Sequence, residues 1–489
     1  MQRRLADLVQ GDVHFVIIGN GVAGMEAALT LRDQHTDAKI SVVSEESDHF
    51  FSRTALMWVF TGQLSHRCIE PLERDAYERL RLERVRARAI GVDVAQRKLL
   101  LAKGATPIPY DRLIIACGSK PRSAPWPGSN LAGIGHFVTL QDLEWLEKEL
   151  VGGPSLRGRP PRPDHHLERS EEASPYWPRP VGAEKRGSLG KQPAVVGGGL
   201  IGIEAIEVMV HRHLRPKFLI REEWFWPIAI EPREATWITE RMSAHGIDVR
   251  LNYNIQNIIG RDGVITQLET DHGTLDVDTL VVAIGVVPNT DWLKGSEVML
   301  DPRGAIPVND RLETNVPGIF AAGDCAGVRW FDGAVRPEQL WYTSRDQGRI
   351  AARAALGQKV RYERPIWYNS AKLMDIEFTT AGLVNMKVEG EQNWYYEETG
   401  AVRSTTRVVV QEDRVIGFNL LGRRWDHSVL NRWIMERRTL AWVLEHLQEA
   451  SFDTEFVPPL RIPDVAKQQL MGDAAPNPMI PGPSPFTFA

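Results

Sequence analysis

Six residues, Gly19-Asn20-Gly21-Val22-Ala23-Gly24, set three glycines at the spacing G-x-G-x-x-G. At that spacing the first glycine permits a tight turn and the second lets backbone N–H groups approach a pyrophosphate, while the third lets a helix pack closely on its strand. Val22 and Ala23 then open the helix. Glu45 lies 26 residues beyond Gly19 at the end of SVVSE, where a carboxylate takes ribose hydroxyls; Glu46 is the neighbouring candidate. The spacing recurs in Gly197-Gly198-Gly199-Leu200-Ile201-Gly202, with Glu222 25 residues beyond Gly197. One chain thus carries two dinucleotide sites. Glu222 and Glu223 favour a free ribose 2′-OH and hence NADH, while Arg221 would suit the 2′-phosphate of NADPH.

Each glycine cluster needs a strand before it and a helix after it. HFVII and PAVV supply the strands, MEAALTLRD and EAIEVMVH the helices, and ISVVSEE and KFLIREE the second strands. Alternating strands and helices imply parallel α/β layers. With 489 residues the chain exceeds one core, and 43% hydrophobic with 25% charged residues is ordinary globular usage. The formal net charge of −5 gives no basic surface for nucleic acid. No run reaches the ~20 apolar residues of a membrane span, and the N-terminal apolar run passes into glycines as a strand rather than a signal peptide. The three cysteines, Cys68, Cys117 and Cys325, include no CxxC and no pair close in sequence. No zinc site, iron–sulfur ligand set or other metal site is expected, and a cytoplasmic, reducing location is.

Four further stretches extend the pattern: YDRLIIACGS at 110–119, LVVAIGVVPN at 280–289, TNVPGIFAAGDC at 314–325, and SAKL at 370–373. With the two fingerprints they resemble the FAD-dependent pyridine nucleotide-disulfide oxidoreductases, especially the rubredoxin and ferredoxin reductases and the flavin portion of nitrite reductases. The resemblance implies an α/β fold: two Rossmann-like domains, for FAD and NAD(P), and a small C-terminal α+β domain. The expected boundaries are 1–151 and 311–362 for the FAD domain, 192–310 for the NAD(P) domain and 363–465 for the C-terminal domain. A Pro- and charge-rich linker or insertion occupies 152–191, and 466–489 reads as a disordered tail. Periodic apolar residues predict a helix over 425–450. FAD is expected to rest on Gly19, Gly21, Val22, Ala23, Gly24, Glu45, Arg53, Ala116, Gly118, Gly323, Asp324 and Trp341. The nicotinamide cofactor is expected on Gly197, Gly199, Leu200, Ile201, Gly202, Glu222 and Gly285. Asp324 would contact the ribityl chain, and the helix opening SRDQG after Trp341 would present its positive end to the flavin.

Departures from the family pattern narrow the chemistry. Members that reduce disulfides need a flavin-side cysteine, and the segment His49–Trp58 has none. Cys117 stands where threonine is usual. Carrier reductases of this type usually place a lysine where Trp58 stands, paired with a glutamate at Glu204. Trp58, Glu204 and Arg53 are therefore the candidate catalytic set, with Arg53 a candidate partner for Glu204. The aromatic cluster Trp224-Phe225-Trp226 either faces the nicotinamide cleft or packs in the core.

The resulting expectation is an NADH-dependent FAD enzyme that hands electrons to a small iron–sulfur or rubredoxin-type protein. A second copy of the chain is a further expected partner. The alternatives are an NADH oxidase or diaphorase using oxygen or quinone, and a non-catalytic NADH-sensing flavoprotein that docks a partner.

Overall fold

The computed structural model describes residues 13–151, 191–399, 402–452, 454–455, 457–467 and 470–471. Two five-stranded parallel sheets organise it. The first runs Ile319–Ala321, Arg112–Ile115, His14–Ile18, Lys39–Ser44, Leu82–Arg86. The second runs Asp248–Leu251, Lys217–Ile220, Pro193–Val196, Thr279–Val282, Ile134–Gly135. Helices cover such sheets on both faces, so the central strands read as unbroken apolar runs. Val195, Phe15, Val16 and Ile17 are fully buried.

Helix Val22–Gln34 packs on helix Trp341–Ala355 through small residues: Ala23, Ala27 and Ala28 against Gly348, Ala351 and Ala352. A Cβ on Gly348 would lie 2.2 Å from the Ala23 carbonyl oxygen, so the two backbones nearly touch. The second helix begins at Trp341, earlier than its SRDQG core suggests.

The C-terminal unit is a six-stranded antiparallel sheet ordered Tyr368–Leu373, Ile376–Gly382, Arg414–Leu421, Ser404–Gln411, Glu391–Glu398, Leu470–Met471. Buried Arg407 reaches out of it to Glu234 at 3.1 Å and Glu231 at 3.5 Å, both at the start of helix Pro232–Ala244. Asn385, Asn419 and the Ala229 carbonyl complete the cluster.

Two expectations change here. The single helix expected over 425–450 is two, His427–Met435 and Leu440–His446. Arg437, at φ 52°, turns the chain left-handed, and Thr439 caps the second helix by accepting from the Trp442 N–H. The expected disordered tail from 466 begins instead with the end of a short helix, Asp464–Lys467, and an edge strand, Leu470–Met471. Residues 472–489 lie outside the described residues, as do 152–190 of the expected linker. Among the described residues no helix is long and apolar enough to cross a membrane.

Candidate functional site

The first glycine cluster links strand His14–Ile18 to helix Val22–Gln34. Gly19 adopts φ 102°, and a Cβ there would lie 2.1 Å from the Ala116 carbonyl oxygen. A Cβ on Gly24 would lie 1.9 Å from the Gly19 oxygen. Glycine is therefore required at both positions. Gly21 caps the helix without a side-chain hydrogen bond, and the space where its Cβ would stand is open. The helix start thus offers unpaired N–H groups to an open cradle, which is what a pyrophosphate needs.

Across the sheet, Asp324 follows strand Ile319–Ala321 and lies beside the end of strand Arg112–Ile115. Ser119 Oγ donates to its Oδ2 at 2.7 Å and Ser344 Oγ to its Oδ1 at 3.2 Å. Burial raises its pKa, opposed by those two hydroxyls and by Arg53. Gly323, at φ 77°, donates its N–H to Gln347 Oε1 at 2.8 Å. A half-buried carboxylate held by two rotatable hydroxyls can exchange them for ligand hydroxyls. The cradle and this acceptor therefore fit the pyrophosphate and the ribityl chain of a flavin dinucleotide. Ala116 and Gly118 flank the same strand end, and Trp341 begins the helix bearing Ser344. That helix also lacks a side-chain cap, and Arg345 lies 5.5 Å from the Trp341 ring centre.

The two neighbouring acids separate in role. Glu46 accepts two hydrogen bonds from Arg53, at 3.0 and 2.7 Å, and one from the Leu140 N–H at 3.0 Å. Glu45 is half exposed, with Arg88 3.7 Å away. Glu45 is thus the acid left available at the strand end.

The second cluster repeats the first. Gly197, at φ 117°, could carry a Cβ only 2.1 Å from the Ala283 oxygen, and Gly202 only 2.0 Å from the Gly197 oxygen. Gly199 caps helix Leu200–His211 with no side-chain hydrogen bond, and Leu200 and Ile201 form its first turn. Glu222 ends strand Lys217–Ile220 by two residues and pairs with exposed Arg221 at 2.8 Å. Gly285, at φ 102°, follows strand Thr279–Val282 and accepts from the Arg122 N–H.

The expected catalytic set is only partly assembled. Arg53 does not pair with Glu204; its guanidinium is taken by Glu46 and the Val138 carbonyl. Glu204, on helix Leu200–His211, has no ion-pair partner among the described residues, and burial pushes its pKa up to about 7. Trp58 lies 38% exposed on helix Leu56–Phe60, which packs on that same helix. Phe225 and Trp226 are buried, with Trp226 5.5 Å from the Phe378 ring, so this pair packs in the core.

Spacing gave no sign of Arg88, which comes from a distant stretch, while Ser344 and Gln347 stood inside SRDQG without assigned roles. Ser119 stood inside a quoted motif without an assigned role. Cys117 and Cys325, 208 residues apart, pack together in one apolar cluster of the flavin sheet.

The model of the family described as "Pyridine nucleotide-disulphide oxidoreductase" matches residues 13–348. The rubredoxin-NAD(+) reductase of Pseudomonas putida is 25% identical over 348 residues, covering 70% of this chain and 80% of that protein. The ferredoxin–NAD(+) reductase component of the p-cumate 2,3-dioxygenase system, also from Pseudomonas putida, is 24% identical, covering 87% and 94%. The solved putidaredoxin reductase–putidaredoxin covalent complex superposes with a TM-score of 0.72 at 18% identity, covering 88% and 94%, which shows a shared fold.

Proposed function

Since the chain belongs to the pyridine nucleotide-disulphide oxidoreductase family and is an FAD-dependent NAD(P)H oxidoreductase, we propose that it carries electrons from NADH to a small iron–sulfur or rubredoxin-type protein. One observation carries the reading: two uncapped glycine-rich helix starts stand on two parallel sheets, while the segment 49–58 holds no cysteine. A hydride donor and a flavin therefore have places, and segment 49–58 offers no cysteine for a disulfide relay. Two relatives named for rubredoxin and ferredoxin reduction support the choice of acceptor.

Gly19, Gly21, Val22, Ala23 and Gly24 present backbone N–H groups to the flavin pyrophosphate, and Glu45 accepts from its adenosine ribose. Asp324, released from Ser119 or Ser344, accepts from a ribityl hydroxyl. Ala116, Gly118 and Gly323 leave room for the cofactor, and Trp341 shields one side of it. A flavin held by these residues would supply hydride acceptance and single-electron release, chemistry that no side chain supplies. The Trp341–Ala355 helix start stabilises negative charge beside it.

Gly197, Gly199, Leu200, Ile201 and Gly202 hold the second pyrophosphate, and Glu222 takes the ribose 2′-OH of NADH. Gly285 lets the nicotinamide half pass close to the backbone. Glu204 holds a proton near neutral pH where Trp58 supplies no countercharge. Arg53 positions Glu46 and the Leu140 helix start rather than the reacting atoms. The cytoplasm suits three unpaired thiols, and a homodimer is the assembly we assign.

Anaerobic stopped-flow mixing tests this. NADH should bleach the flavin, and an oxidised ferredoxin or rubredoxin should restore it faster than air-saturated buffer does. Faster recovery with oxygen than with every carrier overturns the carrier reading in favour of an oxidase.

A further inference from the structure

The chain's two buried-side thiols occupy the junction of the flavin sheet. Strands Arg112–Ile115 and Ile319–Ala321 run parallel, with Ile115 opposite Ala321. The chain leaves both at the same sheet end, so Cys117, two residues on, and Cys325, four residues on, converge. Cys325 Sγ lies 3.4 Å from the carbonyl oxygens of both Ile115 and Ala322. Cys117 and Trp292 pack against the same apolar cluster that holds Cys325.

The pair is asymmetric. Cys325 is fully buried, whereas Cys117 is half-buried. The hydrogen bond from the Cys117 thiol, with the N–H groups of Cys117 and Gly118, draws the Cys325 thiol below its ordinary pKa against burial. The same contact, with burial, pushes the Cys117 thiol up. The two sulfurs therefore differ in acidity, and a thiol gives up its proton as it attacks a peroxide.

We propose that Cys117 and Cys325 are a dithiol that a hydroperoxide oxidises to an intramolecular disulfide, closing the flavin sheet at the Asp324 turn. Cys117, the sulfur that is not fully buried, gives up its proton and attacks the distal oxygen of ROOH; the O–O bond breaks and ROH leaves with that proton, giving a Cys117 sulfenic acid. The second sulfur displaces that hydroxyl as water, forming the S–S bond. Two thiols and ROOH thus become one disulfide, ROH and water. This site is separate from segment 49–58, where the family's disulfide reductases carry their redox cysteine, and it is independent of the electron acceptor assigned above.

The test uses FAD-loaded Cys68→Ser protein, which keeps only this pair. After exposure to hydrogen peroxide it is denatured in N-ethylmaleimide and weighed intact without reductant. The expected product is a monomer lacking two hydrogens that takes no maleimide, yields a Cys117–Cys325 cross-linked peptide on digestion, and regains both thiols with dithiothreitol. Adding Cys117→Thr should abolish the mass loss and leave one alkylatable thiol. Two maleimides after peroxide treatment, oxygen adducts on single sulfurs, or covalent dimers would each overturn the proposal. If the threonine variant fails to fold, the cross-linked peptide alone decides.

Discussion

Replacing Glu204 by glutamine should stabilise the chain in a way that grows with pH. Burial moves this carboxyl from an ordinary 4.5 up to about 7, with no cation paired to it among the described residues. At about 1.36 kcal/mol per unit, ionising it costs the folded chain about 3 kcal/mol more than the unfolded chain. Partial access of water to the side chain makes that figure an upper one. Below 4.5 both states hold the proton and the cost is absent. As pH rises towards 7 the unfolded chain has released its proton while the folded chain keeps it, so folded stability falls. Above 7 the cost is complete and constant. Glutamine carries no such cost, so Glu204→Gln should match the parent near about pH 5 and exceed it near about pH 8. At about 2.1 cal/mol/K per residue, a chain of 489 residues shifts by about 1 °C per kcal/mol, so the gain in Tm is about 3 °C. Thermal unfolding of both proteins in a shared buffer series measures it. A difference that stays flat across the series, or a variant less stable at the alkaline end, would refute the burial argument.

Gly19→Ala should yield protein without visible flavin absorbance, because its Cβ would press into the Ala116 carbonyl at a φ that disfavours side chains. Asp324→Ala leaves Ser119 and Ser344 unsatisfied and should weaken FAD binding by about 1–3 kcal/mol, roughly 10- to 100-fold, read by flavin fluorescence titration. Glu222→Ala should narrow the kcat/KM preference for NADH over NADPH by about tenfold, since Arg221 is then free to meet a 2′-phosphate. Arg407→Met should cost about 3–5 kcal/mol by stranding the Glu234 carboxylate; Arg407→Met with Glu234→Gln should recover most of it in thermal unfolding.

What could be read in the sequence was local. Gly19 to Gly24 and Gly197 to Gly202 act within one turn, so their spacing alone specifies strand, turn and helix. The tasks of Glu45 and Glu46 could not be divided that way, because the division depends on Arg53 and on the Leu140 N–H, 94 residues from Glu46. The lysine missing at Trp58 was visible, but not that Arg53 would go elsewhere and leave Glu204 unpaired. Helical periodicity over 425–450 was real on both halves. The break at Arg437 escaped notice because it needs neither glycine nor proline, only a left-handed turn and a threonine cap. Cys117 and Cys325 were separated by an entire nucleotide-binding unit, and only the parallel pairing of Ile115 with Ala321 brings them together.

The order of the flavin sheet also bears on how the chain is born. Its strand Ile319–Ala321 lies beside Arg112–Ile115, yet it emerges from the ribosome only after the second sheet is complete. At about 5–20 residues per second, Asp324 follows Gly19 by roughly 15–60 s. For that interval the growing chain has one full nucleotide sheet and one open one, with the Arg112–Ile115 edge uncovered. Flavin capture is therefore a late event in biosynthesis, and a ribosome stalled before codon 319 would hold a nascent chain able to close its second sheet but not its first.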